Sequence, residues 1–319
     1  MQMFSKARRD IAYLGIIGLV LFSAGCVGAS PPASPGSLTV PTEIKTQTVI
    51  SPTPMVIETF PKTPTLTSPA PLTPQPTLSK EAKQALVLSL LAKNGDCTLP
   101  CWWGITPGKT AWIDAKSLLE SEGLTLGEPS KYQGLNVYGI RGGLDLFQGQ
   151  VSIYESFGES DGILNNITLS AGGFDENRFR SVFINYSVQH VLSVYGKPSR
   201  ILLQSHASFD SRSSAGYVLW LFYDHLGFLL KYSGSTAYGK IYHICPKFES
   251  GGNIKIIDIY LTHPNNPAQL ENLSGYSDYQ NGYIFPIDEL GASVDGFYKS
   301  FSTSDAACLN VPSNKYDKP

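Results

Sequence analysis

Apolar positions follow three rules in turn along this chain. From Ile11 to Phe22 they run unbroken, from Val27 to Ser79 they stand isolated among prolines, threonines and serines, and beyond Ser79 they fall at helical or strand spacing. Ser79 is placed to cap a helix from Lys80 to about Lys93, with Leu86, Val87, Leu90 and Leu91 as its stripe and Gly95 just past its end. A second helix is expected after Thr110, turning Ala111, Ala115, Leu118 and Leu119 inward and stopping at Gly123. A third, from Ser187, carries Val188, Val191, Leu192 and Tyr195 at i, i+3, i+4 and i+7. Strand-like runs follow: Leu144 to Phe147, Val151 to Tyr154 and Leu164 to Leu169, then Ile201 to Leu203, Tyr217 to Tyr223, Phe228 to Tyr232, Ile241 to Cys245 and Ile254 to Thr262. Asp224-His225-Leu226-Gly227 reads as a hairpin turn between two of the strongest runs.

The order helix-then-strands occurs twice. Gly127-Glu128-Pro129-Ser130-Lys131 is echoed by Gly196-Lys197-Pro198-Ser199-Arg200, each read as a glycine helix stop followed by a proline that forbids continuation. Asn166-Ile167-Thr168-Leu169-Ser170 likewise rhymes with Asp258-Ile259-Tyr260-Leu261-Thr262. The pattern predicts an α+β fold of two related helix-plus-antiparallel-sheet units, 80–170 and 171–319, the second with a C-terminal extension.

The first two regimes have a different meaning. Lys6, Arg8 and Arg9 precede the apolar run, and Ser23-Ala24-Gly25-Cys26 follows it, the order of an export signal over residues 1–25. Twelve residues span about 18 Å as a helix, short of a hydrocarbon core of about 30 Å, so a processed signal fits better than a transmembrane helix. Small residues directly before Cys26 resemble the lipobox of bacterial lipoproteins, although Ser23 stands where that family usually has an aliphatic residue. The resemblance implies acylation of Cys26 and a chain exported and held at the cell membrane or cell surface. Residues 26–79 hold more than half of the 22 prolines and too little apolar surface to offset the entropy of ordering. They read as a disordered tether that would reach about 160 Å in polyproline II form.

Charged residues make up only 16% and the formal net charge is −2, without a basic cluster, so the electrostatic footprint of a nucleic-acid binder is missing. Of five cysteines, removal of Cys26 to a lipid leaves four, and an exported chain favours two disulfides. Among three pairings, Cys97–Cys101 with Cys245–Cys308 is preferred, because Cys97-Thr-Leu-Pro-Cys101 can close through a turn. C-x₃-C without a second close ligand pair is a poor zinc site, so no metal or other cofactor is expected.

Ile105-Thr106-Pro107-Gly108-Lys109-Thr110 resembles the helix lead-in of the outer-membrane-assembly lipoproteins and the two-unit β-lactamase inhibitor proteins. That resemblance implies small α+β units and, in the inhibitors, a concave sheet that grips a protein. Cys97-Thr-Leu-Pro-Cys101-Trp102-Trp103-Gly104-Ile105, with Pro107, Gly108 and Thr110 after it, is closer to a signature of bacterial surface lipoproteins with Pro/Thr tethers, a family without an assigned function.

No G-x-S-x-G, H-E-x-x-H, Walker or G-x-G-x-x-G motif occurs, which lowers the odds of an enzyme. Asp288-Glu289 could supply glycosidase-type carboxylates, but adjacent acids more often solvate a helix start. Trp102 and Trp103 are candidates for stacking on a ligand, with a role in the core as the competing reading. The chain thus reads as a lipid-anchored binding or scaffold module contacting an envelope protein or glycan. The alternative is an exported hydrolase with an unrecognised site.

Overall fold

The structure, a computed structural model, describes residues 78–207, 214–248, 254–275, 284–304 and 307–315. The signal segment, Cys26 and the tether up to Thr77 lie outside these. The fold is α+β, as the hydrophobic pattern implies. Helix α1 spans Lys80–Lys93 with the Ser79 side chain accepting from the Ala82 amide. Its C-cap is Asn94 in the left-handed region, one residue earlier than the glycine stop read from the sequence. Helix α2 is Trp112–Ser121, with Ala115 and Leu119 buried and Ala111 as N-cap. Gly123, at φ +75°, ends it. Gly127 therefore terminates no helix, whereas its counterpart Gly196 does cap one, so the pentapeptide echo has two different local roles.

The strands of the first half are β1 (Ser130–Tyr132), β2 (Leu135–Gly139), β3 (Leu144–Leu146), β4 (Val151–Ser160) and β5 (Ile163–Gly173). Helix α3 (Glu176–Phe183), a 3₁₀ turn and helix α4 (Val188–Tyr195) lead to β6 (Arg200–Ala207), β7 (Ser214–Tyr223), β8 (Phe228–Ala237), β9 (Ile241–Ile244) and β10 (Ile254–Thr262). Helix α5 (Pro267–Ser274), β11 (Ile284–Pro286), α6 (Val294–Phe301) and β12 (Leu309–Pro312) complete the described chain. The β7–β8 turn is the one read from sequence, and Gly227 there has φ +79° with Thr262 O only 2.6 Å from where a Cβ would stand.

One antiparallel sheet of ten strands results, in the order β1-β2-β4-β5-β10-β8-β7-β6-β11, with β3 also paired to β4. β9 and β12 form a separate pair. The seam between the halves is β5–β10, and there the two rhyming segments pair with each other. Asn166 faces Thr262, Ser170 faces Asp258, and Thr168 faces Tyr260 at the centre.

Alternation sends successive strand residues to opposite faces. One face, bearing Ile153, Phe157, Ile167, Leu169, Leu221, Leu230 and Ile259, packs with α1, α2, α3, α4 and α6 into the main core. The other carries a smaller cluster of Leu202, Trp220, Phe222, Leu229 and Tyr260, sealed by Leu270 of α5.

Candidate binding face

Trp102 and Trp103 belong to the core. They are 0% and 5% exposed and stack with ring centroids 5.4 Å apart, so neither leaves a ring face for a ligand. The backbone explains why. Trp102 and Ile105 exchange both backbone hydrogen bonds around a turn in which Trp103 (φ 54°) and Gly104 (φ 85°) are left-handed. Asn94 ties this loop to the end of α1: its amide donates to Cys97 O at 2.9 Å and Cys101 O at 2.8 Å, and its oxygen accepts from Trp103 N. Cys97 and Cys101 stand at disulfide distance, as do Cys245 and Cys308.

Beneath the indoles lies a group that sequence reasoning missed. Glu155 of β4 points into the core, and both its carboxyl oxygens are buried without a hydrogen-bond partner among the described residues, as are the Trp102 and Trp103 indole nitrogens. Burial pushes the Glu155 carboxyl up to about 8; the Trp102 N–H faces it and opposes this in part, without reaching hydrogen-bond geometry. Burial, then Tyr195 and Glu155, also hold the Tyr186 phenol above its usual range. The available signal is the period: Val151, Ile153, Glu155 and Phe157 form one inward row, but the apolar pattern predicts the strand only to Tyr154. Asp288 and Glu289 are exposed on the 3₁₀ turn Ile287–Leu290 and share no enclosed site with the buried indoles.

The far side of the sheet is divided. Over the second half, α5 covers the aromatic cluster and is pinned by Arg200, whose guanidinium pairs with Asp224 at 3.1 Å and with Glu271, and lies 3.9 Å above the Phe222 ring. Over the first half no described helix packs on this face. Its residues are Leu135, Val137 and Gly139 from β2, Ser152, Tyr154 and Ser156 from β4, and Thr168, Ser170 and Gly172 from β5. Tyr154 is 65% exposed, and neighbouring Ile256 of β10 is 43% exposed. The Tyr154 ring edge lies beside Gly143, 3.3 Å from where a Cβ would stand there. Ser152 donates to Asp145 at 2.8 Å, and Ser170 to Asp258, which also pairs with Lys231.

No protein-family model, curated protein or solved structure matches the chain. Among the described residues no helix is long and apolar enough to cross a membrane, and no group of three or more His, Cys, Asp or Glu is placed to hold a metal ion.

Proposed function

We propose that this chain is an exported lipoprotein, anchored through Cys26 and built from two related halves, whose tethered domain binds an envelope protein or glycan on the open half of its sheet. The observation that carries the reading is the asymmetry of the far sheet face: α5 covers one half, while the other exposes Tyr154 amid serine, threonine and glycine. Tyr with small hydroxyl residues is the composition of adaptable protein contact surfaces, since Tyr adds area at low entropic cost and Ser adds hydrogen bonds. The related-halves part is supported by the seam, where the positions equated by the sequence echo, Thr168 and Tyr260, face each other as a two-fold relation requires. The hydrolase alternative has less support, because Glu155 is sealed in the core while Asp288 and Glu289 stand in open solvent.

Two measurements test this. Intact mass of the native protein should give a chain beginning at acylated Cys26; an unprocessed N-terminus would refute the anchor. Capture of envelope material by wild type and by Tyr154→Arg should differ in a defined partner, and identical capture by both would refute the binding face.

A further inference from the structure

The chemistry of the open face narrows the partner, on the premise that this face is the binding surface. Its floor is almost uncharged. Lys231 and Asp258 neutralise each other at 3.3 Å, and the remaining charge is the Asp145 carboxylate, which accepts from Ser152 at the β3 edge, so a strongly acidic partner would find no free cation among its described residues. The largest apolar side chains of this sheet face, Trp220, Phe222 and Leu229, are buried under α5, which leaves Ile256 as the exposed aliphatic beside the open half. What the open half offers instead is two exposed aromatic rings, Tyr154 on β4 and Tyr132 on the edge strand β1, and a lattice of hydroxyls. Ser170 stands directly across from Tyr154, and Thr168 directly across from Ser156, on strands about 4.8 Å apart. The hydroxyls of Tyr154, Ser156 and Thr168 have no side-chain hydrogen bond among the described residues, and each can both donate and accept. Gly172 and Gly139 keep the surroundings low. A ring set against Gly143 is also held ready, so little freedom is lost on binding.

We propose that the open half of the sheet is a carbohydrate-binding face that takes a strand of uncharged polysaccharide, with a sugar ring stacked on Tyr154 and sugar hydroxyls bonded to Ser156 and Thr168. The apolar face of a pyranose suits an aromatic ring, and its equatorial hydroxyls match side chains that both donate and accept.

Affinity electrophoresis of the full chain in native gels tests it, with dextran, laminarin and glucomannan as neutral probes and polygalacturonate as the charged one. At least one neutral polymer should retard the protein. Tyr154→Ala should weaken that retardation about tenfold, the scale of a lost stacking contact, while Tyr154→Phe retains most of it and Tyr238→Ala, an exposed tyrosine elsewhere, leaves it unchanged. No retardation by any neutral polymer, stronger retardation by polygalacturonate, or indifference to Tyr154→Ala would each overturn the proposal. If glycans fail while Tyr154→Arg abolishes capture of a defined protein, the partner class is wrong and the binding face stands. If Tyr154→Arg changes neither, both fall.

Discussion

Replacing Glu155 by glutamine should make the protein more stable at neutral and alkaline pH and should remove most of one pH dependence. The carboxyl is fully buried and held protonated to about pH 8, against a value of 4.5 when exposed in the unfolded chain. The folded state thus keeps a proton that the unfolded state releases. This contribution is fully present below about pH 4.5 and is lost as pH rises towards 8, at about 1.4 kcal/mol per pH unit. Across the interval the loss is about 5 kcal/mol, a large share of a typical domain's stability of about 5–15 kcal/mol. A glutamine side chain has nearly the same shape and no charge to bury, so the two proteins should be of similar stability at pH 4 and diverge progressively to pH 8. Urea unfolding followed by tryptophan fluorescence, over pH 4 to 9, reads this directly, because Trp102 adjoins the carboxyl. Curves for wild type and Glu155→Gln that run parallel within about 0.5 kcal/mol would show that Glu155 does not carry the proton, and the reasoning would fail.

Three other outcomes are expected. Gly227→Ala should cost about 3 kcal/mol in urea unfolding, since a left-handed alanine there meets Thr262 O at 2.6 Å and Pro264 N at 2.7 Å, both backbone. Glu271→Ala should cost only about 1 kcal/mol, because its pair with Arg200 is partly solvated, yet it should raise acrylamide quenching of Trp220 by loosening α5. Opening the Cys245–Cys308 bridge, which spans 63 residues, should destabilise by about 4 kcal/mol on chain entropy, against about 2 kcal/mol for Cys97–Cys101, which spans 4; paired Cys→Ser variants compared by thermal unfolding check the order.

Elements with strong periodicity and a capping side chain are legible in the sequence. Ser79 and Ser187 both accept a helix-start amide, as capping residues should, and Ile254–Thr262 is a strand over its full expected length. Short or exposed elements are not: β1 has three exposed residues, and α5 is an eight-residue helix whose one fully buried leucine gives no stripe. Helix α3 escapes the pattern because Glu176, Arg178 and Arg180 obscure its buried Phe179, Val182 and Phe183. Of the site, the cysteine pairs are readable from count and spacing. The sequence marks Tyr154 only as a strand end, because which half of a sheet face stays open depends on where a remote helix lands. Trp102 and Trp103 carry two readings that composition cannot separate, and the turn at Trp103-Gly104 decides between them by folding both rings inward.

The β5–β10 seam has a kinetic consequence. Ser170 must wait for Asp258, 88 residues later, before the far edge of β5 is closed. Until β10 arrives, the first half is a partial sheet with a long bare margin, and such late, non-local closure slows folding. That margin is also a template for another chain's strand. Newly made molecules held at high density should therefore aggregate through β5, and a mutation that delays β10 should lower yield more than it lowers the stability of the finished protein.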